Sequence, residues 1–91
     1  MHPEHKPQEI LAQELAQAAK LVEVGESYVH YKNPDQAYKI VGFGVLESSN
    51  GLCVIYKAQY GEHLTFVRPL SSWLEQVEVN GAMAPRFKKI G

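Results

Sequence analysis

A single cysteine, Cys53, leaves no internal disulfide and no cysteine-built metal cluster to consider. No apolar run approaches the ~20 residues needed to span a bilayer, so a membrane anchor is not expected. Met1, His2, Pro3, Glu4, His5, Lys6 and Pro7 contain no apolar signal core, and a cytoplasmic address is expected. Charge of either sign is also not in excess. Nine Lys plus Arg against ten Asp plus Glu give a net charge of −1 and a pI near 6.4. Nucleic-acid binding by bulk charge is therefore excluded, whereas a local basic patch is not. Gly42 and Gly44 fall within an apolar stretch with no helix after them, so they make no phosphate loop. Ser48, Ser49, Ser71 and Ser72 lie in turn or cap contexts, none resembling a nucleophile elbow. No cofactor is expected.

What remains is an ordinary globular composition, 45% hydrophobic and 21% charged over 91 residues. A chain of this size buries roughly 60–65% of its unfolded surface, enough for one core and one domain. Two regions differ in pattern. Residues 1–24, a tail and helix, carry four Glu and two Lys; residues 25–91, the β domain, carry seven cations and six acids. From Gln8 to Val22 the chain is rich in Ala, Leu, Gln and Glu, all good helix formers. Leu11, Leu15, Ala18 and Val22 recur at helical spacing on one stripe, with Gly25 as the expected stop.

Beyond Gly25 the chemistry is that of strands. Ser27–Lys32 is aromatic and β-branched, and Asn33, Pro34 and Asp35 form a turn cluster. Ala37–Leu46 reads as a longer strand in which Gly42 and Gly44 signal a bulge or bend. Asn50-Gly51 is expected to supply two positive φ angles for a hairpin into Leu52–Tyr60. Leu64–Arg68 follows, ended by Pro69, and then a helical turn from Leu70 to Gln76 capped by Ser71 or Ser72. A last small hairpin turns at Asn80-Gly81 and runs to Phe87, and Lys88–Gly91 reads as a tail. The expected fold is mainly β: a small, strongly bent SH3-like barrel or roll of five to six strands, preceded by one amphipathic helix across an open end or edge.

Five ordered blocks make the order of residues distinctive. They are His30-Tyr31-Lys32, Tyr38 to Gly42, Val54 to Gly61, Phe66 to Leu70, and Val77 to Gly81 with Pro85-Arg86-Phe87. In this order they resemble the bacterial family called domain of unknown function 1653, whose members read HYK, VVYxALYG, WVRPLxxF and PRF. Phe66 stands where Trp is common, Trp73 where Phe is common and Ile55 where Val is common. The resemblance implies a compact, bent β-sheet domain and carries no activity with it. The helix over Gln8 to Val22 lies outside the motif.

Candidate chemistry is sparse. His2 and His5 sit in the tail with no third ligand at a closed-site spacing, so no metal site is expected. His63 reads as a turn residue, and Cys53 has no neighbouring base to activate it. Aromatic residues are the richest feature, and buried tyrosines must each find a hydroxyl partner. Arg68 and Arg86 at strand ends either lock the barrel, by stacking on a ring or pairing with Glu62 or Glu78, or rim a groove with Tyr and His. The site expected from these residues comprises His30, Tyr56, Tyr60, Arg68, Trp73 and Arg86.

Three functions follow from that set. The first is a non-catalytic binding module that takes a protein or peptide on an aromatic and Arg-bearing face. The second is an RNA or single-stranded DNA accessory domain, which requires Lys32, Lys39, Lys57, Arg68, Arg86, Lys88 and Lys89 to gather on one face. The third is a small enzyme acting through His30. The helical stripe either packs on its own domain or forms a homodimer.

Overall fold

The computed structural model describes residues 6–90, so the readings of His2 and His5 lie outside the described residues. Helix α1 spans Gln8–Leu21. The carbonyl of Pro7 accepts the amides of Ile10 and Leu11, so Pro7 is the cap rather than a first-turn residue. The predicted stripe is the buried side of the helix. Ala18 and Val22 are buried, and Leu11 and Leu15 are half-buried. Gly25 does not stop the helix, which already ends at Leu21; its φ of +88° instead turns the chain into the first strand. There the Gly25 amide donates to the Ile40 carbonyl and the Ile40 amide donates to Glu26.

Seven strands follow: β1 Ser27–His30, β2 Asn33–Leu46, β3 Gly51–Ala58, β4 Thr65–Pro69, β5 Gln76–Val79, β6 Ala82–Pro85 and β7 Phe87–Ile90. A four-residue helix, α2, Leu70–Trp73, lies between β4 and β5. The main sheet is antiparallel with order β4-β3-β2-β1-β7, and β5 and β6 form a separate ribbon. Several expectations change. Tyr31 and Lys32 make the first turn, and Pro34 to Gln36 swell out of β2 as an irregularity opposite β1. A proline within a sheet belongs in such a place, since it has no N–H to give a ladder. Lys88 to Ile90 are no tail; with Phe87 they form β7, in register with all of β1. Neither Ser71 nor Ser72 caps α2, whose cap residue is Pro69.

The expected bend is present at Val41, where one extra residue of β2 lies between the Ile40↔Tyr56 and Gly42↔Ile55 pairs. Hydrogen bonding leaves β4 and β7 as edges, so the described strands do not close into a barrel by pairing. Side chains nevertheless show how far the sheet curls. Three strand spacings separate β3 from β7, about 14 Å if the sheet were flat. The rings of Tyr56 and Phe87, on those two strands, are 5.9 Å apart. Across four spacings, about 19 Å when flat, the guanidinium carbon of Arg68 sits 5.2 Å from the Phe87 ring.

The concave face holds the core: Val22, Tyr28, Ile40, Val54, Tyr56, Trp73 and Phe87. Trp73 stacks flat on Phe87, centroids 3.7 Å apart at 2°, and meets Tyr56 and Tyr28 edge-on. Because Phe87 joins the edge strand to this cluster, Phe87→Ala is expected to cost about 3–5 kcal/mol. Met83→Ala, at an exposed ribbon position, should cost within about 0.5 kcal/mol. Urea denaturation of both variants, read at constant slope, checks the difference.

Candidate functional site

The alternation of strand residues decides which side chains meet on the concave face. In β3, Val54, Tyr56 and Ala58 point inward and are buried, while Lys57 points outward. Tyr38 and Ile40 of β2 lie opposite Ala58 and Tyr56, and Phe66 of β4 lies opposite Tyr56. At the open end of this face the aromatics become accessible. Tyr38 is the hub: its ring meets those of Tyr56, Tyr60, Phe66 and Phe87 edge-on at 5.3, 5.5, 6.2 and 6.4 Å. Its hydroxyl and that of Tyr60 share a 2.6 Å hydrogen bond. Phe66 remains 39% exposed.

Arg68 sits over this surface. Its Nε donates to the Tyr56 hydroxyl at 3.4 Å and one terminal nitrogen donates to Ser72 Oγ at 3.0 Å. The guanidinium lies above the Phe87 ring, where the negative face of the π system attracts it. It forms no salt bridge with a carboxylate among the described residues. His30 flanks the same region, edge-on to Phe87 at 5.0 Å. The Lys32 amide donates to His30 Nδ1 at 3.2 Å, which places the proton of the neutral ring on Nε2.

Of the six residues expected to form the site, three share this rim: His30, Tyr60 and Arg68. Tyr56 and Trp73 are buried, 6% and 3% exposed, and form its floor. Arg86 is a brace. Its amide donates to the Glu75 carbonyl and its carbonyl accepts the Tyr31 amide. Its side chain pairs with Glu75, not with Glu62 or Glu78. Tyr38 and Phe66, both at the rim, were not in the expected set. Their signal was their i, i+2 placement with inward residues, obscured by the bulge in β2 and the brevity of β4. Cys53 is buried, its thiol 4.0 Å from the Gly51 carbonyl. Among the described residues no group of three His, Cys, Asp or Glu is placed to hold a metal ion.

The electrostatics of the rim are one-sided. Burial lowers the His30 pKa, and the positive charges of Arg68, Arg86 and Lys32 lower it further. Burial and the hydrogen bond with Tyr60 push Tyr38 up to about 12. Below the ordinary histidine value of about 6.5, the unfolded chain takes up a proton that folded His30 refuses. Stability should therefore fall as pH drops through about 6.5 and level off below the folded value. Urea midpoints between about pH 5 and about pH 7.5 should show an acid-side loss that is smaller in His30→Gln. Tyrosine absorbance should likewise show that Tyr38→Phe removes a tyrosine that ionises well above the ordinary value of about 10.

Over residues 26–89 the sequence matches the family described as "Protein of unknown function (DUF1653)". Helix α1 precedes the matched segment. No curated protein matches the chain. The fold is similar to the crystal structure of a DUF1653 protein from Bordetella bronchiseptica, with a TM-score of 0.62 at 26% identity. That similarity covers 74% of this chain and 86% of the other. The motif blocks, the curled sheet they build and the extent of the match agree: the chain belongs to the DUF1653 family.

Proposed function

We propose that this protein is a non-catalytic binding module that takes a peptide segment of a protein partner on the rim formed by Tyr38, Tyr60, Phe66 and Arg68. The observation that carries this reading is Arg68: a half-buried guanidinium that no carboxylate of the described chain neutralises. Taking a charge partly out of water without an opposite charge costs free energy, and an anionic group of a partner would recover it. The adjoining aromatics offer apolar area, and the Tyr38–Tyr60 hydroxyl pair offers hydrogen bonding at little cost in side-chain order. The curl that brings Arg68 to Phe87 supports a further reading of the sheet as a small SH3-like roll.

A nucleic-acid reading draws less support. Lys39 and Lys57 pair across the convex face, Lys89 pairs with Glu23, and Arg86 pairs with Glu75. The described cations divide between the convex face, with Lys39 beside Lys57, and the surroundings of His30, where Lys32, Arg68 and Arg86 act together. An enzyme reading needs a second group beside His30, whose described neighbours are the rings of Tyr31 and Phe87 and the cations Lys32, Arg68 and Arg86.

Panning a displayed random-heptapeptide library against the full chain tests the proposal. Peptides enriched on the parent should bind Arg68→Gln about tenfold or more weakly, the worth of one charge-assisted bond. Enriched peptides indifferent to both Arg68→Gln and Tyr60→Ala would refute it. A single-stranded RNA and DNA pool, added at low and then moderate salt, is expected to leave the rim amides unmoved.

A further inference from the structure

We infer that the partner peptide binds as an added β-strand on the edge of β4, carrying an acidic side chain to Arg68; this rests on the peptide-binding reading above. Bonded and non-bonded pairs alternate along an antiparallel ladder. The Ala58 amide donates to the Leu64 carbonyl, so that pair is bonded. Counting along the register, Tyr56↔Phe66 and Val54↔Arg68 are bonded pairs, and Lys57↔Thr65, Ile55↔Val67 and Cys53↔Pro69 are not. The backbone groups of Thr65 and Val67 therefore point away from β3, off the edge of the sheet. Pro69, which has no N–H to offer β3, occupies a position where none is required.

The two edges of the sheet are unlike. β7 presents Lys88 and Lys89, both exposed, and such lysines deter pairing along an edge. β4 presents Thr65 and Val67, the latter 64% exposed, with Leu64 exposed just before them. An incoming strand would gain backbone bonds from β4 and apolar cover from Val67, as in other cases of strand addition. Five residues of β4 span about 17 Å, and Pro69 closes the far end, which limits the added strand to about three to five residues. Arg68 decides its chemistry. Its side chain lies on the concave side between the edge and Phe87, and it has no acidic partner among the described residues. A carboxylate on the added strand next to this guanidinium supplies the missing charge.

The test takes the peptides enriched by panning and measures them on the full-length chain. Replacing the acidic residue by its amide should weaken binding about tenfold or more. Backbone N-methylation at alternate residues should abolish binding in one phase and be tolerated in the other, because only one set of peptide amides faces β4. The amides of Thr65 and Val67 should become protected from hydrogen exchange on binding. Val67→Pro, which removes only an outward N–H, should weaken binding with little change in the urea midpoint. Peptides that need Arg68 and Tyr60, yet tolerate N-methylation in both phases and leave Thr65 and Val67 unprotected, would overturn strand addition and keep the rim as the binding face. A library that yields no binder overturns both. Sedimentation showing a dimer with Thr65 and Val67 protected in the absence of peptide would assign the edge to a second copy and overturn the proposal. Rim shifts with RNA alone, lost as salt rises, would do the same.

Discussion

The flat stack of Phe87 on Trp73 holds this fold together, because it joins parts of the chain that the hydrogen-bonded ladder keeps apart. Phe87 opens the edge strand β7, and Trp73 closes the helical turn that follows the opposite edge, β4. With the two rings in contact, the sheet must curl. The bulge at Val41 supplies the bend, and Tyr28, Ile40, Val54 and Tyr56 fill the hollow it makes. A sheet of five strands that curls through side-chain contacts, with no backbone bonds between its ends, leaves β4 and β7 as edges among the described strands. That leaves the outward backbone groups of Thr65 and Val67 on β4 without a described strand to pair with.

The same closure explains the rim. Arg68 reaches Phe87 only because the sheet has curled, and the tyrosine hub is half-buried only because β2 and β3 have brought Tyr38 and Tyr60 together beside Phe66. The cations facing His30 then follow from geometry. Arg68 comes from one edge, Lys32 from the first turn, and Arg86 from the segment that braces the β5–β6 ribbon against β1. Fold stability and rim chemistry thus share their residues. Tyr56 is both a core ring and the acceptor that steadies Arg68.

Local chemistry was legible in the sequence, and long-range closure was not. The helical stripe, the positions of the first four strands and the bend near Gly42 follow from periodicity and glycine placement within a few residues. The two Asn-Gly pairs show where local signals stop being sufficient. Asn80 and Gly81 both take positive φ and join β5 to β6 as a two-residue turn. At Asn50-Gly51 only Asn50 does so. There the loop takes four residues, 47–50, and Gly51 already pairs with Leu46. The strand β7 was missed because two lysines disguise it and its partner β1 lies far back in the sequence. Of the site, His30, Tyr60 and Arg68 stood out by residue type. The burial of Trp73, the bracing role of Arg86 and the central place of Tyr38 depend on curvature that no local pattern encodes.

Val22 has no exposed surface, yet the fourteen-residue helix before it buries only Ala18 completely. Two levels of cooperativity are therefore expected of the chain. The helix can melt while Val22 keeps the hollow of the sheet sealed, because the links that hold the segment after it, Gly25 to Ile40 and Glu23 to the Tyr28 hydroxyl, lie on the sheet side of that residue. Helical amides would then exchange through a local opening, and those of β2 and β3 only when the whole domain unfolds. Val22, fully buried in the core of the sheet, is where the boundary between those two units is expected to fall.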